Sequence, residues 1–186
     1  MARRTLAVSA LSLVVLLGAA ACGKDHSAAA QPSKGASDAR PAACGTPQLS
    51  WKMILLPGKP HNTPTATLSA THKGAKPCAF DGYPELSAFI GKGPAADAEP
   101  KKGAAPVHLV LQPGHAVEFP IFYDAVGSPS ASCNVSAEYN PDISVRPPHA
   151  AAHDYGSFVH LTDAKGRHER AQVCSSGMQL GAPRLR

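Results

Sequence analysis

The cysteines are the residues whose number and spacing indicate most about the chemistry of this chain. There are five of them, Cys22, Cys44, Cys78, Cys133 and Cys174. No C-x-x-C pair is present, so their spacing does not favour a zinc site. In an exported protein, the last four could form two disulfides in three possible pairings. If the first two predicted strands pair antiparallel, Cys44 before one lies near Cys78 after the other, which favours Cys44–Cys78 and Cys133–Cys174.

The fifth cysteine, Cys22, follows a segment typical of an export signal. Residues 1–21 begin with a short positive region and continue as an apolar stretch that ends in small residues. Together with Cys22, the last of these residues resemble a lipobox. In that motif the cysteine thiol takes a diacylglycerol, and cleavage leaves the cysteine as the new N-terminus. Ala19 stands where the usual motif has leucine, and the same stretch fits ordinary signal-peptidase cleavage to a secreted chain. Lipidation removes the odd thiol, so we expect Cys22 to anchor the protein at the outer face of the cell membrane.

Residues 22–43 are expected to form a lipidated cysteine followed by a flexible tether. The segment contains Ala, Ser, Gly, Pro and scattered charges but no large apolar side chain. Such a composition cannot bury enough apolar surface to fold. The domain organisation predicted is therefore a signal peptide over 1–21, the anchor and tether over 22–43, and a folded domain over 44–186.

Histidine is the other abundant residue with ligand chemistry, with nine in the chain. His149 and His153 are four residues apart, and on a helix they would share a face and could hold a metal ion. The two prolines before His149 allow one turn of helix at most. A metal-binding envelope protein that uses this pair, with His160 or His168, is therefore the alternative function, and exposed loop histidines are the simpler interpretation.

The remaining polar residues match no catalytic or nucleic-acid-binding pattern. The sequence contains no G-x-S-x-G, H-E-x-x-H, P-loop or dinucleotide-binding glycine motif, and its carboxylates are scattered. Lys101 and Lys102 form an isolated pair that we expect to be simply solvated. No Lys/Arg cluster has interleaved aromatic residues, so nucleic acid is not an expected partner. The sequence predicts neither an enzyme nor a cofactor.

The elements that must position these residues are short strands. Leu, Ile, Val and Phe make up only 35 of the 186 residues, while Pro and Gly contribute 18 and 16. Apolar residues alternate with polar ones along several runs and show no sustained helical periodicity. These runs begin at Leu49, Thr65, Leu86, Val107, Val117, Ile143, Phe158 and Ala171. The pattern predicts seven or eight strands in an antiparallel β-sandwich, with Pro120 at an edge strand or a bulge.

The domain resembles a family of actinobacterial secreted or lipid-anchored proteins that carry a β-sandwich domain of unknown function. The resemblance covers about residues 44–182. It rests on a C-x-x-x-G-Y-P box over residues 78–84, an L-x-P-G turn over 111–114 and the two pairs of cysteines. It implies an immunoglobulin-like fold and an envelope location, and it implies no activity. The box itself is expected to be a structural corner, and a ligand-contacting loop is the alternative.

Together these patterns predict a membrane-anchored envelope lipoprotein. Its extracytoplasmic module would be an all-β, immunoglobulin-like antiparallel sandwich stabilised by two disulfides. Its partners would be the membrane, through the lipid, and an unknown protein, wall component or small molecule. The sequence does not identify which of these the module binds.

Overall fold

The computed structural model describes residues 40–57, 63–89, 96–125, 133–135, 143–174 and 177–186. The predicted signal peptide, the lipidation site at Cys22 and the tether up to residue 39 lie outside the described residues. Within these ranges the helical structure is one 3-10 turn, Thr46–Gln48, and no helix has the length and apolar character that crossing a membrane requires.

The described chain is built from short strands. They are β1 (Leu49–Leu55), β2 (Ala66–His72), β3 (Cys78–Asp81), β4 (Glu85–Ala88), β5 (Ala96–Pro100), β6 (His108–Leu111), β7 (Ala116–Phe122), β8 (Asn134–Val135), β9 (Ile143–Arg146), β10 (Ser157–Val159), β11 (Leu161–Thr162), β12 (Gln172–Val173), β13 (Met178–Leu180) and β14 (Arg184–Leu185). Each predicted run contains a strand, and β3, β5, β8, β13 and β14 were not predicted. The all-β prediction is confirmed.

The largest sheet runs in the order β10-β9-β4-β5-β13-β7-β2-β1-β11, and β14 also pairs with β7. We call β5-β13-β7-β2-β1-β11, with β14, the front sheet, and β5-β4-β9-β10 the back sheet. Two further pairs, β3–β6 and β8–β12, stand outside this path. Most pairings are antiparallel, but β1–β11 and β13–β5 are parallel. The sheet is therefore mixed, whereas the sequence predicted an antiparallel sandwich.

Single chain segments join the front and back sheets at both sides. The first half of β5 pairs with β4 of the back sheet, and its second half pairs with β13 of the front sheet. At the other side, β10 pairs with β9, and β11 pairs with β1 after one intervening residue, His160. These segments cover edges that would otherwise expose unpaired backbone groups to another chain.

The core is a layer of apolar side chains between the sheets. Alternate residues of β2 and β7 are buried, as the two-residue period of a strand requires. Phe80 of β3 lies 5.7 Å from Phe119 of β7 and 6.2 Å from Trp51 of β1, measured between ring centroids. These contacts join β3 to the front sheet, so the sandwich has one continuous core.

Both disulfides form as the sequence favoured. Cys44 pairs with Cys78, and Cys133 pairs with Cys174. The first pair follows from the antiparallel register of β1 and β2, in which Leu49 lies opposite His72. Ala42 and Cys44 also exchange backbone hydrogen bonds with Ala79. These bonds place the last residues that the sequence assigned to the tether, Ala42 and Ala43, beside β3.

Candidate functional site

A β-bulge interrupts the strand that borders β7. β13 and β14 both pair with β7, and Leu180 lies opposite Ile121 while Arg184 lies opposite Glu118. Four residue steps on one strand therefore match three on the other, which places one extra residue between β13 and β14. Bulges often occur beside binding sites, because they redirect side chains and open the sheet locally.

The bulge lies opposite Pro120. Because Pro120 accepts a hydrogen bond from the Gly181 backbone at 2.8 Å, this side of β7 is also where the missing proline N–H would point. Pro183, within the bulge, has no N–H either, so it cannot continue the ladder. The sequence offered an edge strand or a bulge for Pro120. β7 pairs with β2 on one side and with β13 and β14 on the other, so the edge-strand alternative is wrong. The extra residue lies on the strand opposite Pro120 and not in β7, which runs unbroken over Ala116–Phe122.

Glycine is required at position 181 by the close approach of the two strands. A Cβ atom there would lie 2.8 Å from Pro120 Cγ and 2.9 Å from Phe122 Cε2. Both distances are shorter than real Cβ contacts allow, so any larger residue would push the bulge away from β7. Gly181 thus lets the bulged strand lie close beside β7 at Pro120 and Phe122.

A basic depression of about 380 Å³ lies where these two strands meet. Its lining includes three apolar side chains, which we call the floor, namely Pro120, Phe122 and Pro183. It also includes three cationic side chains, which we call the rim, namely Lys101, Lys102 and Arg184. No carboxylate lies among the described residues that line it. We refer to the cavity lined by these six residues and by neighbouring glycines and alanines as the basic depression.

The two lysines reach the depression from a tight turn after β5. The Ala104 N–H donates to the Lys101 carbonyl at 2.8 Å, and Gly103 has a φ of 79°. A positive φ at the third position is typical of a type II turn. The Lys101 Nζ lies 4.0 Å from the centroid of the Phe122 ring, a cation–π contact. The expectation that Lys101 is simply solvated is therefore wrong, whereas Lys102 is exposed as expected.

The nearest carboxylate on β7 is already engaged. Glu118 Oε2 accepts from Arg186 Nε at 2.7 Å, and its other oxygen lies 3.5 Å from the hydroxyl of Ser69. Arg184 lies opposite Glu118 in register but makes no ion pair with any described residue. Lys102 likewise has no carboxylate partner in the described part of the chain. The depression therefore presents positive charge that the described residues do not neutralise, although Glu118 lies next to it.

The histidine pair expected as the alternative metal site is not arranged for that role. His149 has a φ of 60°, and the segment after Pro147 forms two consecutive turns rather than a helix. His149 and His153 therefore do not share a helical face. After the second turn, the Gly156 N–H donates to Asp154 Oδ1 at 2.9 Å, and this bond lowers the pKa of Asp154.

Two other histidines do meet. The rings of His160 and His168 stack with centroids 4.2 Å apart. Stacked rings do not converge on one point as metal ligands must. Across the described ranges, no three His, Cys, Asp or Glu side chains form a group that could hold a metal ion.

The Gly-Tyr-Pro segment forms a corner between β3 and β4. Gly82 has a φ of 104°, which favours glycine, and the hydroxyl of Tyr83 donates to the Ala105 carbonyl at 3.1 Å. The Tyr83 ring lies 5.9 Å from Phe119, and burial raises the pKa of its hydroxyl. On β3, Asp81 accepts from Arg40 and lies 3.3 Å from His108 Nδ1. These contacts fit the structural-corner interpretation.

Comparison with known proteins gives one result. A family model described as a domain of unknown function, DUF4232, matches residues 44–179. No curated protein and no solved structure matches the chain. The matched region begins at the first disulfide cysteine and extends through most of β13. The chain therefore belongs to the DUF4232 family of domains of unknown function.

Proposed function

We propose that this protein is a membrane-anchored extracytoplasmic binding protein that uses the basic depression to hold an anionic ligand. The observation that carries the proposal is the depression itself, whose lining combines three cationic side chains with an apolar floor, and none of these cations pairs with a described carboxylate. Concave sites with an apolar lining and a few charged groups are the usual form of small-ligand sites.

The extracytoplasmic location is supported by the two disulfides. Disulfides persist in oxidising compartments and are rare in the cytosol. With four cysteines paired with each other, Cys22 has no cysteine partner left within the chain. A lipid on Cys22 accounts for this fifth thiol and holds the domain at the membrane through the segment that follows.

Binding rather than catalysis is the proposed role. The lining of the depression consists of Lys, Arg, Phe, Pro, Gly and Ala residues. Lysine and arginine hold an anion by charge and hydrogen bonds, and this does not require a proton transfer. The partner is thus a wall component, a protein or a small molecule that carries negative charge.

Metabolic labelling with an alkyne fatty acid tests the anchor. We expect the wild-type chain to be labelled and to fractionate with membranes. Cys22→Ala should lose the label and appear in the medium, while Ser27→Ala, a matched control near the same end, should behave as wild type. An unlabelled wild-type chain would contradict the anchor.

Thermal unfolding of the full chain, purified in a non-ionic detergent, tests the binding role. A ligand that binds only the folded state raises the unfolding midpoint. Small organic anions should raise it, whereas neutral and cationic analogues should not. Lys101→Gln/Lys102→Gln should abolish the effect. Lys73→Gln/Lys76→Gln removes the same charge elsewhere and should preserve it. An equal response in both double variants would exclude the depression as the binding site.

A further inference from the structure

The basic depression combines two chemistries that a single ligand can satisfy. Lys102 and Arg184 approach from different segments of chain, one from the turn after β5 and the other from β14. The same lining contains the apolar floor, which includes Phe122. A ligand that fits must therefore place an anionic group at the rim and an uncharged, apolar surface on the floor.

We propose that the depression is a binding site for a small organic phosphate ester. The phosphoryl group contacts Lys102 and Arg184, and its organic part packs on Phe122 and Pro120. This inference rests on the proposed function, because it names the chemical class of the anion that the same site holds.

The number and type of cations favour a phosphoryl group over a carboxylate. A phosphate monoester carries about two negative charges at neutral pH and three acceptor oxygens. The Arg184 guanidinium matches two of these oxygens with its fork of N–H donors, and a lysine ammonium supplies a compact charge to the third. A carboxylate has one charge and two oxygens, so a single arginine would satisfy it.

The neighbouring acidic groups do not cancel this charge. Glu118, opposite Arg184, is held by Arg186 at 2.7 Å. Glu99 of β5 lies opposite Gln179, one strand further from β7, and does not line the depression. The two carboxylates nearest in register are thus engaged or outside the site.

Lys101 links the charged rim to the apolar floor. Its ammonium covers the Phe122 ring at 4.0 Å from the centroid. A charge-assisted hydrogen bond to phosphate is stronger than a cation–π contact at a ring such as Phe122, which is only half-buried. A bound phosphoryl group therefore draws Lys101 off the ring and uncovers it for the organic part of the ligand.

The size of the depression indicates a small ligand. Its volume of about 380 Å³ lies at the lower end of the range for small-molecule sites. An aryl or short alkyl phosphate fits within such a volume. The floor explains why the organic part contributes, because inorganic phosphate would leave the apolar surface uncovered.

Isothermal titration of the full chain in non-ionic detergent with three probes tests the proposal. Phenyl phosphate has both features, inorganic phosphate has only the phosphoryl group, and benzoate has the ring with a carboxylate. We expect phenyl phosphate to bind about tenfold more tightly than either of the others. Lys102→Gln/Arg184→Gln should weaken phenyl phosphate by about tenfold or more, and Phe122→Ala should reduce its advantage over inorganic phosphate.

The controls separate this proposal from the proposed function. Lys73→Gln/Lys76→Gln should bind phenyl phosphate as wild type does, and circular dichroism should show that every variant is folded. Benzoate affinity equal to that of phenyl phosphate, lost in Lys102→Gln/Arg184→Gln, would overturn the phosphate inference and leave the anion-binding function standing. Phenyl phosphate affinity unchanged in Lys102→Gln/Arg184→Gln, or no binding of any probe, would overturn both.

Discussion

Tyr123, directly after β7, has its ring packed inside the sandwich, and this burial raises the pKa of its hydroxyl to about 12. The unfolded chain has a tyrosine pKa near 10, so the folded state keeps its proton to higher pH. The contribution of the protonated Tyr123 to the free energy of unfolding is therefore fully present below about pH 10. It is lost between about pH 10 and 12, by about 1 kcal/mol at pH 11.

Urea unfolding at pH 9, 10 and 11 checks this prediction. Tyr123→Phe should remove that part of the alkaline loss, because phenylalanine cannot ionise. Tyr155→Phe is the matched control, since Tyr155 is 88% exposed, and should change nothing. An alkaline loss that is equal in wild type and Tyr123→Phe would show that Tyr123 titrates normally.

His72 is a second residue whose environment makes a measurable prediction. It is the last residue of β2 and is 1% exposed, and no described protein group hydrogen-bonds either ring nitrogen. A buried polar group without a partner costs about 1–3 kcal/mol, so His72→Leu should raise the free energy of unfolding by about 1 kcal/mol. His115→Leu, at an exposed histidine, should change it little. Lower stability in His72→Leu would mean that the imidazole makes hydrogen bonds through water.

At the scale of elements, the strands that the sequence predicts are those with alternating apolar residues. β7 is the clearest case, because Val117, Phe119 and Ile121 all face the core. β5 could not be predicted in this way, since its sequence Ala-Asp-Ala-Glu-Pro has neither β-branched nor aromatic side chains. It is a strand because β4 and β13 pair with its two halves, and such partners are not visible in a local pattern.

The basic depression could not be predicted for the same reason. Its residues come from three segments, near positions 101, 120 and 181, which only the strand register brings together. The two lysines alone indicate a solvated pair. Pro120 indicated a possible bulge but not the strand that carries it, and no sequence signal placed Arg184 beside it.

Gly181 is the residue on which the geometry of the bulge depends. Gly181→Ala should destabilise the protein by about 2 kcal/mol, because the added methyl group overlaps Pro120 and Phe122. Gly45→Ala is a matched control, since its Cβ would have no neighbour closer than 3.7 Å. Urea unfolding midpoints give the comparison. Equal stability of the two variants would mean that the bulge moves freely away from β7.

At the scale of the whole molecule, a thin core is held by covalent links and covered edges. Several members of the buried cluster are alanines, which bury little surface each, namely Ala66, Ala70, Ala88, Ala96 and Ala171. The sparse count of large apolar residues in the sequence therefore reflects the core itself. β5 and the β10–β11 segment also join the front and back sheets at both sides of the sandwich, and β11 and β10 pair with β1 and β9 there.

The two disulfides should therefore account for much of the stability of this protein. They close loops of 34 and 41 residues in sequence separation, and loop-closure entropy assigns about 4 kcal/mol to each. Because whole domains are stable by only about 5–15 kcal/mol, strong reductant should lower the unfolding midpoint sharply or unfold the full chain.

The two disulfides should differ in their contribution to the free energy of unfolding. Cys44→Ala/Cys78→Ala should lower it more than Cys133→Ala/Cys174→Ala does. Cys44 and Cys78 are 3% and 1% exposed within the core cluster, whereas the second disulfide joins the separate β8–β12 pair. Urea unfolding with and without reductant measures both effects, and a cooperative transition with an unshifted midpoint in reductant would show that apolar packing alone holds the sandwich.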